Sequence, residues 1–120
     1  MALSSQPLIS RYFPYLPLTL TVQGGQINIE AILDTGFDGS VIVPQYTFPP
    51  TLKPNYDLAW TLADGTTIKG PAFAGTVHVG HFGPFDVVIT SVGNESLIGR
   101  ALTNLFTITL DHGQQVIVTL

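Results

Sequence analysis

The chain has 120 residues, of which 45% are hydrophobic and only 10% are charged, and its formal net charge is −4. Its four basic residues are scattered along the sequence, which argues against a phosphate-binding surface and excludes nucleic acid as an expected partner. The absence of cysteine excludes disulfides, thiolate nucleophiles and the usual zinc-finger ligands. A chain this short and this apolar is expected to form one domain, 1–120, and to bury apolar surface against another chain.

The N-terminal segment contains Pro7, Pro14 and Pro17 and has no basic region ahead of an apolar run, so it is not typical of a secretion signal. No apolar stretch has the length of a membrane span. The default expectation is therefore a cytoplasmic protein without a membrane partner.

Short runs rich in Val, Ile, Thr, Phe and Tyr recur between clusters of Gly, Pro, Asn and Asp, a pattern typical of an all-β domain. The first pair of predicted strands, over 18–22 and 27–33, forms a hairpin around Gly24-Gly25 and delivers Asp34 at its far end. A turn through Gly36 and Gly39 follows, and then a strand over 40–43.

The second half of the chain is predicted to contain further hairpins and one helix. After a proline-rich loop over 47–55, strands over 57–62 and 66–69 flank the turn Ala63-Asp64-Gly65. Strands over 73–79 and 85–90, a loop over 91–95 and a short strand over 96–99 come next. The predicted helix spans 100–106, and strands over 107–110 and 115–120 form a terminal hairpin.

The run Ala31-Ile32-Leu33-Asp34-Thr35-Gly36 places a carboxylate, a hydroxyl and a glycine at the end of an apolar strand. Such a carboxylate is held rigidly, the hydroxyl can make a locking hydrogen bond, and the glycine allows a ligand to approach the backbone. Taken alone, the tripeptide also suits an ordinary turn. A second motif far downstream, Leu97-Ile98-Gly99-Arg100, favours the catalytic interpretation.

Residues 31–41 together with 97–105 resemble the retropepsin family of retroviral and retroviral-like aspartic proteases. The form Asp34-Thr35-Gly36-Phe37 is similar to that of small prokaryotic members. The resemblance implies a retropepsin-like closed β-barrel, the acid protease fold, with one short helix near the C-terminus. It also implies an aspartic endopeptidase active as a homodimer, in which a water activated between two Asp34 carboxylates, one per subunit, hydrolyses a peptide bond without a cofactor.

The same resemblance implies roles for the residues around Asp34. Asp38 and Arg100 are expected to form a structural ion pair, and Thr35 to bond to its counterpart across the dimer axis. Active-site support is expected from Thr35, Gly36, Ile98 and Gly99. Contacts to a peptide or protein substrate are expected from the loop residues Gly36, Phe37 and Asp38, from the apolar residues Ile32, Val41 and Leu97, and from the flap tip Ala63, Asp64 and Gly65.

Three features depart from the family pattern. Phe37 stands where many viral members have a small residue, and Gly39 stands where a second acidic residue is common. The chain also continues past the predicted helix into the terminal hairpin, and the sequence leaves open whether that hairpin pairs within the subunit or across the dimer.

Other functions remain open at the level of sequence. A non-catalytic dimerisation or peptide-binding module with this fold is one alternative, and a small β-barrel subunit of a larger assembly accounts for the apolar composition equally well. A serine hydrolase built on Ser96 lacks a convincing histidine and acid arrangement. No metal site is predicted, because His78 and His81 have no third ligand nearby in the sequence.

Overall fold

The computed structural model describes residues 6–61 and 64–120. Over these residues the chain forms ten strands and one short helix, and the all-β class is confirmed. In chain order the elements are β1 (Leu8–Ser10), β2 (Tyr15–Val22), β3 (Gly25–Leu33), β4 (Val41–Val43), β5 (Tyr56–Thr61), β6 (Thr67–Val79), β7 (Phe82–Ser91), β8 (Leu97–Ile98), α1 (Arg100–Thr103), β9 (Thr107–Asp111) and β10 (Gln115–Thr119).

Seven strands form the main sheet, in the order β2-β3-β8-β4-β7-β6-β5. A further pairing between β2 and β6 connects six of these strands into a ring of hydrogen-bonded neighbours, with β5 outside it. Strand β2 shows how the core is built, because Leu16, Leu18, Leu20 and Val22 are buried at every second position while the residues between them are half-buried.

The hairpin of β2 and β3 turns one residue earlier than predicted. Gln23 and Gly24 have positive φ angles of 49° and 85°, which suit the two central residues of a tight hairpin turn, and Gly25 already pairs with Val22. The strands stay in register to Tyr15 and Ile32. The hairpin therefore ends where Asp34 begins the next loop.

The structure corrects the predicted boundaries of several elements, among them β2, which begins at Tyr15 rather than at residue 18. Residues 67–79 form one continuous strand rather than two. Gly70 does not interrupt it, and glycine suits this position because a Cβ there would lie 2.8 Å from the carbonyl oxygen of Ser91. Strand β7 begins at Phe82 and runs to Ser91, longer than the predicted 85–90. Helix α1 is a single turn, and after it the N–H groups of Leu105 and Phe106 donate to carbonyls three residues back.

A second sheet of three strands has the order β1-β10-β9. The terminal hairpin predicted from the sequence is present, and its last strand also pairs with β1, from Leu8 opposite Val118 to Ser10 opposite Val116. In this protomer the hairpin thus pairs within its own chain. Among the helical residues that the structure describes, none belongs to a helix long and apolar enough to cross a bilayer.

Candidate active site

Asp34 lies in a loop whose backbone is held by β8. Strand β8 runs parallel to the end of β3, with Ile32 opposite Leu97 and Leu33 opposite Ile98. The Asp34 N–H donates to the carbonyl of Ile98 at 3.0 Å, and the Gly99 N–H donates to the carbonyl of Ser40 at 2.9 Å. Residues 97–99 therefore bind the loop at both ends, which fixes the position of the Asp34 carboxylate.

The Asp34 side chain is oriented by its own loop. The Gly36 N–H donates to Oδ1 of Asp34 at 3.0 Å, and the Phe37 N–H donates to the Asp34 carbonyl at 3.2 Å. Asp34 is half-buried, whereas Thr35 and Gly36 are exposed. The carboxylate is thus held in one orientation at the surface, with Thr35 free to meet another molecule.

Glycine is needed at position 99 because neighbouring atoms leave no room for a Cβ, and not because of its backbone conformation. Its φ of −103° is open to any residue, but a Cβ there would lie 2.8 Å from the carbonyl oxygen of Phe37 and closer still to that of Gly39. These two carbonyls accept hydrogen bonds from the N–H groups of Arg100 at 2.8 Å and Ala101 at 3.1 Å. The helix start and the loop are therefore joined at their closest approach.

An aromatic contact joins the loop to the β5–β6 hairpin. The Phe37 and Trp60 rings meet edge to face, with centroids 4.9 Å apart and an interplanar angle of 76°. Both rings lie over Gly39, where a Cβ would come within 2.6 Å of Trp60 and 2.7 Å of Phe37. Phe37, Gly39 and Trp60 thus form one packing unit.

A cavity of about 370 Å³ opens beside Asp34. Of the residues predicted to contact substrate, it contains Gly36, Phe37, Asp38 and Leu97. Its complete lining is Asp34, Gly36, Phe37, Asp38, Ile42, Trp60, Thr61, Ile68, Val92, Gly93, Asn94, Glu95 and Leu97.

The prediction that Val41 lines a substrate pocket is wrong. Val41 is fully buried in the core, and its neighbour Ile42 lines the cavity instead, because successive residues of a strand point to opposite faces. Ile32 is half-buried and outside the cavity lining. Trp60 and Ile68, which pair across β5 and β6, were missed, although their alternation in the predicted hairpin was the available signal.

A second cavity, of about 480 Å³, also includes Asp34 in its lining and is formed mainly by apolar side chains. Its polar lining residues are Asp34, Thr35 and Thr103, and Ile108 and Leu110 of β9 are among the apolar ones. The complete lining is Phe13, Pro14, Leu33, Asp34, Thr35, Thr103, Phe106, Ile108 and Leu110. Asp34 therefore belongs to the lining of both cavities.

The predicted ion pair between Asp38 and Arg100 is wrong for this protomer. Within residues 6–61 and 64–120 the salt bridge present is that of His112 with Asp111, at 2.6 Å, and both Asp38 and Arg100 are exposed. The backbone of Arg100 is bound to the loop, but its guanidinium extends into solvent, where pairing stabilises little.

The predicted flap tip is only partly within the described residues, since Ala63 lies outside them. Asp64 and Gly65 are exposed, and Oδ1 of Asp64 accepts hydrogen bonds from the Thr66 hydroxyl at 2.6 Å and the Thr66 N–H at 2.9 Å. These bonds, the hydroxyl first, hold the pKa of Asp64 below its ordinary value. The turn is thus fastened by a charged carboxylate.

Known proteins match this chain in a comparison of structures and not in the comparisons of sequence. No protein-family model matches the sequence, and no curated protein matches it. Among solved structures, the chain is similar to a retropepsin-like aspartic protease from Rickettsia conorii, with a TM-score of 0.59 and 18% sequence identity. The match covers 95% of this chain and 99% of the other. The fold is therefore retropepsin-like.

Proposed function

From this retropepsin-like fold, we propose that the chain is an aspartic endopeptidase that is active as a homodimer, with Asp34 of each subunit forming the catalytic pair. The observation that carries the proposal is the placement of Asp34. Its backbone is bound to β8, its Oδ1 accepts a hydrogen bond from the Gly36 N–H, and Asp34 lines both the cavity of about 370 Å³ and the largely apolar second cavity.

One carboxylate cannot act as acid and base in the same step, so the proposal requires two chains. Two carboxylates within about 3 Å of each other share one proton. The ionised member removes a proton from water, whose oxygen attacks the peptide carbonyl carbon, and the protonated member donates to the carbonyl oxygen. The resulting tetrahedral intermediate then loses the amine as the C–N bond breaks, and the amine nitrogen takes up a proton.

The first cavity suits an extended peptide with an apolar side chain near the cleaved bond. Ile42, Trp60 and Leu97 supply apolar wall, while Asp38 and Glu95 add carboxylates and no basic residue lines the cavity. Apolar walls with a few polar groups are typical of sites that bind a ligand by burial and orient it by hydrogen bonds. Acidic side chains beside the substrate are expected to disfavour a negatively charged peptide.

The test is cleavage of a library of unstructured peptides by the wild-type chain and by Asp34→Asn. The proposal predicts cleavage that a statine-type inhibitor blocks and that Asp34→Asn abolishes without loss of folding. Asp57→Asn, the same change at an exposed aspartate outside both cavity linings, serves as the matched control and should cleave normally. Peptide binding without cleavage would instead favour a non-catalytic peptide-binding module, and cleavage by Asp34→Asn would refute the mechanism.

A further inference from the structure

The charged side chains of the cavity of about 370 Å³ are all of one sign. Asp38 and Glu95 add two carboxylates to that of Asp34, and no described lysine, arginine or histidine lines the cavity. Within residues 6–61 and 64–120, neither Asp38 nor Glu95 makes a salt bridge or a side-chain hydrogen bond, and both side chains are exposed. These two carboxylates are therefore available to a cation from another molecule.

The loop that carries Glu95 is bound to the sheet on both sides of that residue. The Gly93 carbonyl accepts a hydrogen bond from the Gln45 N–H at 3.1 Å, and the Ser96 carbonyl accepts one from the Ile32 N–H at 2.9 Å. Ser96 directly precedes β8, the strand that binds the candidate catalytic loop. The backbone of Glu95 is thus held in place, as a residue that selects a substrate requires.

The rest of the cavity suits the stem of a long side chain. Ile42, Val92 and Leu97 supply aliphatic wall, and Trp60 supplies an aromatic ring. Lysine and arginine bury their methylene stems along apolar surface while the charged head stays near water, and the face of a tryptophan ring attracts a cation. An apolar wall beside exposed carboxylates therefore matches a basic side chain along its whole length.

A buried hydroxyl on the same face of the sheet adds a further acceptor. Thr90 is 1% exposed, and its Oγ1 has no hydrogen-bond partner in the described part of the chain. It stands opposite Ile42, and directly opposed residues of neighbouring strands point to the same face, which here is the face that lines the cavity. The side chains of lysine and arginine carry only donors, so a basic group at this wall can satisfy the hydroxyl directly or through one water.

We propose that the cavity selects substrates with a lysine or arginine close to the cleaved bond, and that Glu95 makes this selection with the support of Asp38. The inference rests on the proposed function, because it concerns the peptide that the protease cleaves. A cavity of about 370 Å³ is roughly 9 Å across, and an extended peptide rises about 3.3 Å per residue. The basic residue is therefore expected within about three residues of the cleaved bond.

The first test reverses the charge on both partners. One peptide that the wild type cleaves is remade with lysine or glutamate at each position near the cleaved bond, and kcat/KM is measured for the wild type, Glu95→Lys and the control Glu30→Lys. Glu30 is the other glutamate of the chain, is exposed and lies outside both cavities that include Asp34. The ratio of two peptides with one enzyme does not depend on how much of that enzyme is folded, so a loss of stability cannot imitate the result.

At one position the wild type is expected to favour the lysine peptide over the glutamate peptide by about 2- to 25-fold. An exposed ion pair contributes up to about fivefold, and repulsion of the glutamate acts by a similar factor. Glu95→Lys should reverse this order and Glu30→Lys should keep it, while high salt should reduce the wild-type preference because exposed charges are screened. A ratio near one at every position, or the same ratio in both variants, would overturn the proposal.

A binding assay separates this inference from the proposed activity. Asp34→Asn is mixed with labelled, otherwise uncharged peptides that carry one central lysine or glutamate, and fluorescence anisotropy reports their affinity without cleavage. Tighter binding of the lysine peptide that is lost when Glu95→Lys is added supports the selection, even where the absence of cleavage by the wild type refutes the activity. Equal affinity for the two peptides, or binding of neither, overturns the selection, and cleavage by the wild type then leaves the protease proposal standing.

Discussion

Replacement of Gly99 by alanine is expected to destabilise the protein severely, although the change adds one methyl group. The added Cβ would stand 2.8 Å from the carbonyl oxygen of Phe37 and nearer to that of Gly39. Both are backbone atoms, and both accept hydrogen bonds from the first turn of α1. The clash therefore cannot be relieved by turning a side chain.

The cost follows from two effects. Extra atoms in a well-packed region cost about 1–3 kcal/mol, and separating the loop from α1 weakens two hydrogen bonds worth about 0.5–1.5 kcal/mol each. Together these predict a loss of about 2–6 kcal/mol in the free energy of unfolding, a large share of the roughly 5–15 kcal/mol that a domain of this kind possesses.

Urea denaturation of Gly99→Ala beside Gly36→Ala measures this loss. Gly36 is the matched control, because a Cβ there meets only Oδ1 of Asp34 at 3.3 Å, and we expect a change under about 1 kcal/mol. If Gly99→Ala unfolds at the same urea concentration as the wild type, a Cβ at position 99 does not clash with the backbone of the loop, and the reasoning is refuted.

Three further predictions concern the flap, the cavity wall and Arg100. Thr66→Val should raise the pKa of Asp64 toward its ordinary value, because it removes the hydroxyl that donates to the carboxylate. Since the pKa is lowered in the folded protein, the carboxylate stabilises the turn at higher pH, and this contribution is lost as the pH falls through the folded pKa. An NMR titration in which the pKa of Asp64 does not change in the variant would contradict this prediction. Trp60→Ala should raise KM for peptides with a large apolar side chain more than Trp60→Phe does, because only the phenylalanine keeps a ring beside Phe37 in the cavity wall. Equal KM values for the two variants would contradict a role of Trp60 in the cavity wall. Arg100→Gln should leave the melting temperature within about 1–2 °C of the wild type, because exposed charges contribute little, and a large drop would mean that the guanidinium has a partner.

The sequence predicted the fold where local pattern and local chemistry agree. Strand β2 alternates cleanly, the turn after it contains glycine, and the apolar run of β3 ends at Asp34, so the hairpin that carries the candidate catalytic residue was predictable. The pairing of β8 beside the loop followed from resemblance and not from periodicity, because two residues are too few to show a period.

Other features depend on contacts between residues that are distant in the sequence. Residues 70–72 fall between two strands in the sequence prediction, but they belong to one continuous strand in which Gly70 packs closely against Ser91 of β7 and Val92. Strand β1 is three residues long and is defined only by its pairing with β10. Which of Val41 and Ile42 faces the cavity depends on how β4 is placed between β7 and β8, which no local pattern reveals.

The central claim is that two chains each supply one Asp34, and mixed dimers test it most directly. A fixed amount of wild-type chain is mixed with a ninefold excess of Asp34→Asn, allowed to exchange, and assayed with peptide in excess over both. By mass action only about one tenth of the wild-type chains then remain in wild-type dimers, so activity per wild-type chain should fall about tenfold. Activity per wild-type chain that does not change with the excess would contradict the shared catalytic pair.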